Sequence, residues 1–342
     1  MLSMLEFGLH TFGDITLRSD GAPKTHAQVL RDVVAEAEVA DAVGIEFFGV
    51  GEHHRDDFAI SAPEVVLGAI AARTKRIRLG TAVTVLSSDD PVRVYERFAT
   101  LDGVSNGRAE IILGRGSFTE SFPLFGYSLD DYAVLFDEKL ELFARLRREG
   151  AVTWRGTTRS ALEKQRVYPT AERAPIPTWI GVGGSAESVV RAADHGLPLM
   201  LAIIGGSAAR FLPYVELYRE ACKREGKGAL PVAVHSPGHV AETDAQAREE
   251  YWKAFKGMHD RIGAERGWPP ITRRAFDADV EGGALHVGSP ETVARKIVAT
   301  VKELGLQRFD MKYSAGTLSH EAMVRSIELF GREVVPRVRA GV

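Results

Sequence analysis

Eight short apolar runs, each separated from the next by a helical pattern, follow one another along this chain, and no other feature of the sequence restricts its fold as much. The runs are LEFGLHTF, IEFFGVGE, IRLGTAVTVL, RAEIILGRG, PTWIGVGG, LPLMLAII, LPVAVHSPGHVA and RFDMKYSAG. Helical periodicity covers 26–43, 63–73, 91–104, 129–148, 186–195, 208–225, 291–304 and 321–338. Strands spaced by single helices predict parallel β-α units. Eight such units predict an α/β fold of the closed (β/α)8 TIM-barrel type, with 1–342 as one domain. The competing fold is a doubly wound sheet, whose dinucleotide fingerprint G-x-G-x-x-G belongs after the first strand. The chain reads HTFGDITLRSDG there, so the barrel is preferred.

Two connections exceed the usual length: about 117–128 after the fourth run, containing SFTESFPLFGY, and about 242–284 after the seventh, containing YWKAFKGMHDRIGAERGWPP. In a barrel both leave the C-terminal face, where active sites lie. Their aromatic residues suit an apolar lid; an ordinary surface insertion or a subunit contact is the other reading. The formal charge of −3 offers no basic surplus for nucleic acid. The single cysteine, Cys222, cannot form an internal disulfide. The longest apolar stretch, around LPLMLAIIGG, is too short to cross a membrane, and MLSMLEFGLHTFGD lacks the basic start and long apolar core of a signal peptide. The expectation is a cytoplasmic protein acting on a small molecule.

A barrel brings its strand ends onto one rim, and five of them carry unusual residues. The first run ends in His10, Thr11 and Phe12, the second in Glu52, His53 and His54, and the third in Ala82, Val83 and Thr84. The fourth ends in Gly114-Arg115-Gly116, the fifth in Gly181, Gly183, Gly184 and Ser185. From Gly183 to Ser188, small residues lead into a helix whose first turn offers unpaired N–H groups, a seat for phosphate. The plain alternative makes Ser185 a helix cap. Arg115 would supply a bidentate cation beside that seat, or else pair on the rim with Glu120. Because side chains alternate along a strand, only one of His53 and His54 faces the mouth. Glu52, Asp56 and Asp57 could join them around a metal, but HHRDD lacks the spacing of a zinc signature, and no metal is expected. The small residues of GTAVTVL either let a flat ring lie on the backbone or simply pack the core.

These segments resemble the bacterial luciferase-like flavin-dependent monooxygenase family. The resemblance rests on GEHH, on GTAVTVLSSDDPVRVYERFATLDGVSNGRAEIILGRG, on GGSAESVVRAADHGLP and on HVGSPETVARKI, in that order along the chain. It implies a (β/α)8 barrel that binds FMN. Arg115, Ser185 and Ser188 would hold the phosphate together with Gly184 and the backbone N–H of Ala186. Ala82, Val83 and Thr84 would lie beneath the ring, with a cis peptide between Ala82 and Val83. His53 takes the catalytic position, and Thr11, Phe12, Phe118 and Phe122 are candidates for ring or substrate contact. Gly114 and Gly184 depart from luciferase itself, which has a reactive cysteine and a glutamate there. The implied reaction uses reduced FMN and O2 to oxygenate a small organic substrate. Alternatives are hydride transfer from a reduced deazaflavin, and a non-catalytic flavin-binding protein. A separate flavin reductase and a homodimer packed through 63–73 and 91–104 complete the expected partners.

Overall fold

The computed structural model describes residues 5–148 and 150–342; residues 1–4, the start of the stretch read above for a leader, lie outside it. Eight parallel strands close into a barrel: β1 (Glu6–Thr11), β2 (Phe47–Val50), β3 (Arg78–Thr81), β4 (Ala109–Gly114), β5 (Thr178–Val182), β6 (Leu199–Ala202), β7 (Val232–Val240) and β8 (Arg308–Lys312). Each pairs with the next, and β8 returns to β1. Alternation along each strand divides the side chains between two environments. Phe7, Leu9, Phe48, Val50, Ile111, Leu113, Phe309 and Met311 pack outward into the main core. Phe47, Ala82, Ile112, Trp179, Met200 and Ala233 form a separate cluster inside the barrel.

The inward face of β8 is charged. Arg308 is fully buried and donates to Asp310 at 2.7 and 2.6 Å and to Glu110 on β4, while its guanidinium lies 3.8 Å from the Phe47 ring centroid and 5.4 Å from that of Trp179. Burial alone would lower the Arg308 guanidinium; Asp310 and Glu110 outweigh it and hold the group above its ordinary range. A buried charge needs such partners to be tolerated. Gly8 on β1 makes room for the arrangement, since a Cβ there would sit 2.2 Å from Asp310 Oδ1. This layer fills the lower barrel.

Three features differ from the sequence expectation. The third run is not one strand: it breaks at Ala82–Val83, whose peptide is cis as the family resemblance implied, and resumes as Thr84–Val85 beside β4. A short strand, His286–Gly288, adds in parallel to the end of β7. Between the helix Tyr132–Leu146 and β5 stands an antiparallel ribbon, Val152–Trp154 with Leu162–Gln165. The two long connections after β4 and β7 do contain helices: Ser121–Leu124 in the first, Asp244–Arg266 and Arg273–Gly282 in the second. Among the described residues no helix is long and apolar enough to cross a membrane.

Candidate active site

Above the charged layer the inward positions become small. Ala82, Gly114, Gly181, Gly183 and Ala202 leave a cavity of about 490 Å³, within the range of small-molecule sites. Val83 lies between two of these glycines: a Cβ at Gly114 would come within 2.7 Å of its Cγ2, and one at Gly181 within 2.9 Å of its Cγ1. Ala82 and Val83 thereby form an apolar wall. Tyr251, Phe255, Met258 and Ile262, one face of the Asp244–Arg266 helix, close the cavity from above.

Two insertions meet over this mouth through arginines. Arg55 donates to Glu265 on the long helix at 2.6 and 2.7 Å, to Glu120 of the other insertion at 2.7 Å and to Asp57 at 2.9 Å. Arg266 donates to the Ser117 carbonyl at 3.0 Å and stacks over Phe118, 4.7 Å from its centroid. Glu120 is therefore engaged by Arg55, not Arg115. Among the described residues Arg115 has no carboxylate partner and rests against the Tyr132 ring, 5.2 Å from its centroid. On the neighbouring wall Gly184 turns with φ +114, and Ser185 caps the helix Ala186–Asp194, accepting from Ser188 N at 3.4 Å. A Cβ on Gly183 would meet nothing within 4 Å, so this backbone faces open space. Ser188 and Arg115 both line the cavity, and Arg191 donates to Ser188 Oγ at 3.2 Å.

His53 and His54 both line the cavity, contrary to the alternation expected of a continuing strand, because β2 ends at Val50 before them, but their neighbours differ. His53 is enclosed by Phe12, Phe58 and Phe118, with ring centroids at 4.5, 4.6 and 5.0 Å. Burial pushes its imidazole down to about 3, with Asp14 opposing and Lys312 reinforcing the shift. It is a neutral ring with both nitrogens free of protein partners among the described residues, able to donate or accept one hydrogen bond in the cavity. His54 Nε2 instead binds Glu52 Oε1 at 2.9 Å, and Glu52 Oε2 accepts from Val85 N at 3.1 Å. Glu52 thus ties the end of β2 to the segment beyond the cis peptide.

Phe12, His53, Ala82, Val83, Arg115, Phe118 and Ser188 share the cavity wall. Gly184, Ser185 and Ala186 sit at the adjoining helix start. Thr11, Thr84 and Phe122 depart from expectation. Thr11 is buried with its hydroxyl between Ser314 Oγ and Gly13 N, both at 3.0 Å. Thr84 donates to Thr81 Oγ1 at 2.8 Å, and Phe122 is fully buried against Tyr132. Each is held by its own neighbours outside the wall. Among the described residues no group of three or more His, Cys, Asp and Glu side chains is placed to hold a metal.

The sequence reading left the cavity floor unassigned. His10 and His235 are buried there with Nδ1 atoms 2.6 Å apart, and His10 Nε2 lies 2.8 Å from Asp310 Oδ2. Lys312 joins the wall beneath Phe12, its Nζ 3.1 Å from Asp14 Oδ2 and 2.5 Å from the Ser314 carbonyl. A signal existed: Arg308, Asp310 and Lys312 alternate with Phe309, Met311 and Tyr313, which puts three charges on one face of a strand.

The comparisons agree with this architecture. The monooxygenase RslO1 of Streptomyces bottropensis has the same fold, with a TM-score of 0.85 at 24% identity over 97% of this chain and 99% of its own. The oxygenating constituent of 3,6-diketocamphane monooxygenase from Pseudomonas putida, solved in complex with FMN, gives a TM-score of 0.78 at 19% identity, covering 98% of this chain and 99% of its own. In sequence, the N-acetyl-S-alkylcysteine monooxygenase of Bacillus subtilis is 34% identical over 65% of this chain and 63% of its own length. The alkanal monooxygenase alpha chain of Photobacterium leiognathi is 24% identical over 92% and 95%. A family model described as luciferase-like monooxygenase matches residues 6–308, nearly the whole barrel. With a closed barrel around the cavity and a sequence match running from β1 to the start of β8, the chain belongs to the luciferase-like monooxygenase family.

Proposed function

We propose that the protein is an FMN-dependent monooxygenase that uses reduced flavin and O2 to oxygenate a small, largely apolar organic substrate. The observation that carries this reading is Arg115: a half-buried guanidinium without a carboxylate partner, sharing a cavity wall with the open Gly183 backbone and the start of the Ala186–Asp194 helix. Those groups suit a phosphate monoester, and the apolar wall of Ala82 and Val83 suits an aromatic ring. The names of the relatives reported above point to the same chemistry.

In this reading Arg115, Ser185 and Ser188 hold the phosphate, with Gly184 and the Ala186 N–H completing the seat. Bound FMN would supply electrons to O2. The chain's own task is to orient the ring, exclude water and manage protons at the reacting edge. Phe118, Tyr251, Phe255 and Met258 exclude water. His53 offers a neutral hydrogen-bonding imidazole from the aromatic side. The test is to mix the protein with enzymatically reduced FMN in air and measure oxygen uptake, hydrogen peroxide and oxygenated product across aldehydes, ketones and thioethers. Substrate-dependent product at the expense of peroxide supports the reading. Oxygen-independent hydride transfer from a reduced deazaflavin would replace it with the alternative.

A diffusible flavin reductase would deliver the reduced cofactor. A homodimer would bury the helices Pro63–Arg73 and Pro91–Val104, which leave Val65 74% and Val104 63% exposed in the single chain.

A further inference from the structure

His10 on β1 and His235 on β7 flank β8, whose Asp310 pairs in register with Gly8 on one side and His235 on the other. Both rings are buried, and their only described hydrogen-bond link is Nδ1 to Nδ1 at 2.6 Å. Two facing Nδ1 atoms at this distance share a single proton, because two donors or two acceptors would repel. The far nitrogen of His10, Nε2, lies at ion-pair distance from Asp310 Oδ2, 2.8 Å, without hydrogen-bond alignment, and that carboxylate is anchored by two bonds from Arg308. The far nitrogen of His235, Nε2, has no protein partner among the described residues, and the ring contributes to the cavity wall.

We propose that Asp310, His10 and His235 form a proton relay whose open end, His235 Nε2, serves the cavity as a second proton-handling group beside His53. At rest His10 carries its proton on Nε2, facing Asp310, and His235 carries its proton on Nδ1, facing His10. A proton taken up at His235 Nε2 is matched by transfer of the Nδ1 proton to His10 Nδ1. His235 stays neutral with its proton moved from one nitrogen to the other; His10 becomes an imidazolium beside the Asp310 carboxylate. Delivery of a proton to the cavity reverses both transfers.

The surroundings place charge and neutrality accordingly. Facing the pair are Asp310 and Lys312 on β8, with Arg308 and Glu110 below; Phe47 lies 5.6 Å from the His10 ring and Phe12 stacks 6.2 Å from His235. Burial keeps the His235 imidazole well below its ordinary range, and His10 and Lys312 act in the same direction against the pull of Asp310. The carboxylate partner belongs to His10, so His10 is the positioning residue and resting place of charge. Phe12 separates the two histidine sites, touching His53 with its other contacts. His53 has an aromatic cage and, among the described residues, no carboxylate at hydrogen-bond or ion-pair distance; His10 has Asp310 at 2.8 Å.

The inference deepens the monooxygenase reading and takes its reaction from it, but the test needs no flavin. Imidazole nitrogen NMR on the labelled, flavin-free full chain is followed from about pH 5 to about pH 9, the range in which an imidazole changes charge. The rings are assigned with His10→Asn and His235→Asn variants, and independently through the nitrogen–nitrogen coupling across the shared hydrogen bond. The expected result is one common transition: His10 gains charge while His235, uncharged throughout, switches from the Nδ1–H to the Nε2–H tautomer. Independent titration, charging of His235, or a single His235 tautomer across the range overturns the relay. Any of these leaves the oxygenation test above unaffected.

Discussion

Replacing Arg115 with alanine tests the proposed flavin seat most directly, because its expected effect is selective for one part of the ligand. In the structure the guanidinium competes with no carboxylate, and its contact with Tyr132 is a cation–π interaction of about 0.5–1 kcal/mol at a partly exposed site. Little has to be broken before it binds phosphate. A hydrogen bond to a charged partner contributes about 1.5–3 kcal/mol, and ~1.4 kcal/mol corresponds to tenfold in affinity. Arg115→Ala is therefore expected to weaken FMN binding about 10- to 150-fold while leaving riboflavin, which lacks the phosphate, within about twofold. Arg115→Lys should fall between, keeping the charge and losing the fork. Fluorescence titration of the wild type and both variants with each flavin gives the full cycle. Equal losses for FMN and riboflavin would show that Arg115 supports the barrel rim and not the phosphate, and an unchanged FMN affinity would remove it from the seat.

Four further outcomes follow from the geometry. His53→Ala should retain FMN affinity and divert oxygen to peroxide; unaltered product per oxygen consumed would remove His53 from the reaction. Burial depresses both His53 and His286 to about 3. The unfolded chain thus binds protons that the folded one refuses, and stability present above about pH 6.5 is lost as pH falls toward 3. Urea denaturation at neutral and mildly acid pH should show this loss reduced in His286→Phe, and an identical pH dependence would contradict it. Arg55→Ala should raise hydrogen exchange in the Asp244–Arg266 helix about fivefold, as ~1 kcal/mol from a partly exposed ion-pair network implies; unchanged exchange would mean that the lid is held by its apolar face alone. Gly114→Ala should cost about 1–3 kcal/mol by overpacking against Val83, with Val83→Ala restoring part of it. Strict additivity of the pair in thermal or chemical denaturation would rule out that contact.

The barrel was legible because each strand alternates with a helix over a period the chain cannot hide, and helices such as Pro63–Arg73 and Pro91–Val104 begin at proline and end where their apolar period stops. What escaped the pattern was short or non-local. The three-residue strand His286–Gly288 is too brief to show a period of two, and the ribbon strand Leu162–Gln165 is almost wholly exposed, with no buried face to mark it. Arg115 was visible between two glycines; that Glu120 would belong to Arg55 instead depends on a helix more than a hundred residues later. Thr11 and Thr84 occupy strand ends as expected, but period-two alternation turns their hydroxyls to neighbours behind the wall. The His10–His235 contact joins the first strand to the seventh, and no local spacing announces it.

The layer of Arg308, Glu110, Phe47 and Trp179 turns the barrel into a flask with a sealed base. Among the described residues the two insertions cover the opposite, upper end, where Arg55 joins them. In the proposed reading, a ring placed against Ala82 and Val83 would lie deeper in the vessel than a substrate bound beneath the long helix. In such a vessel the ion pairs of Arg55 that join the cover would bear on entry and release as much as on the architecture.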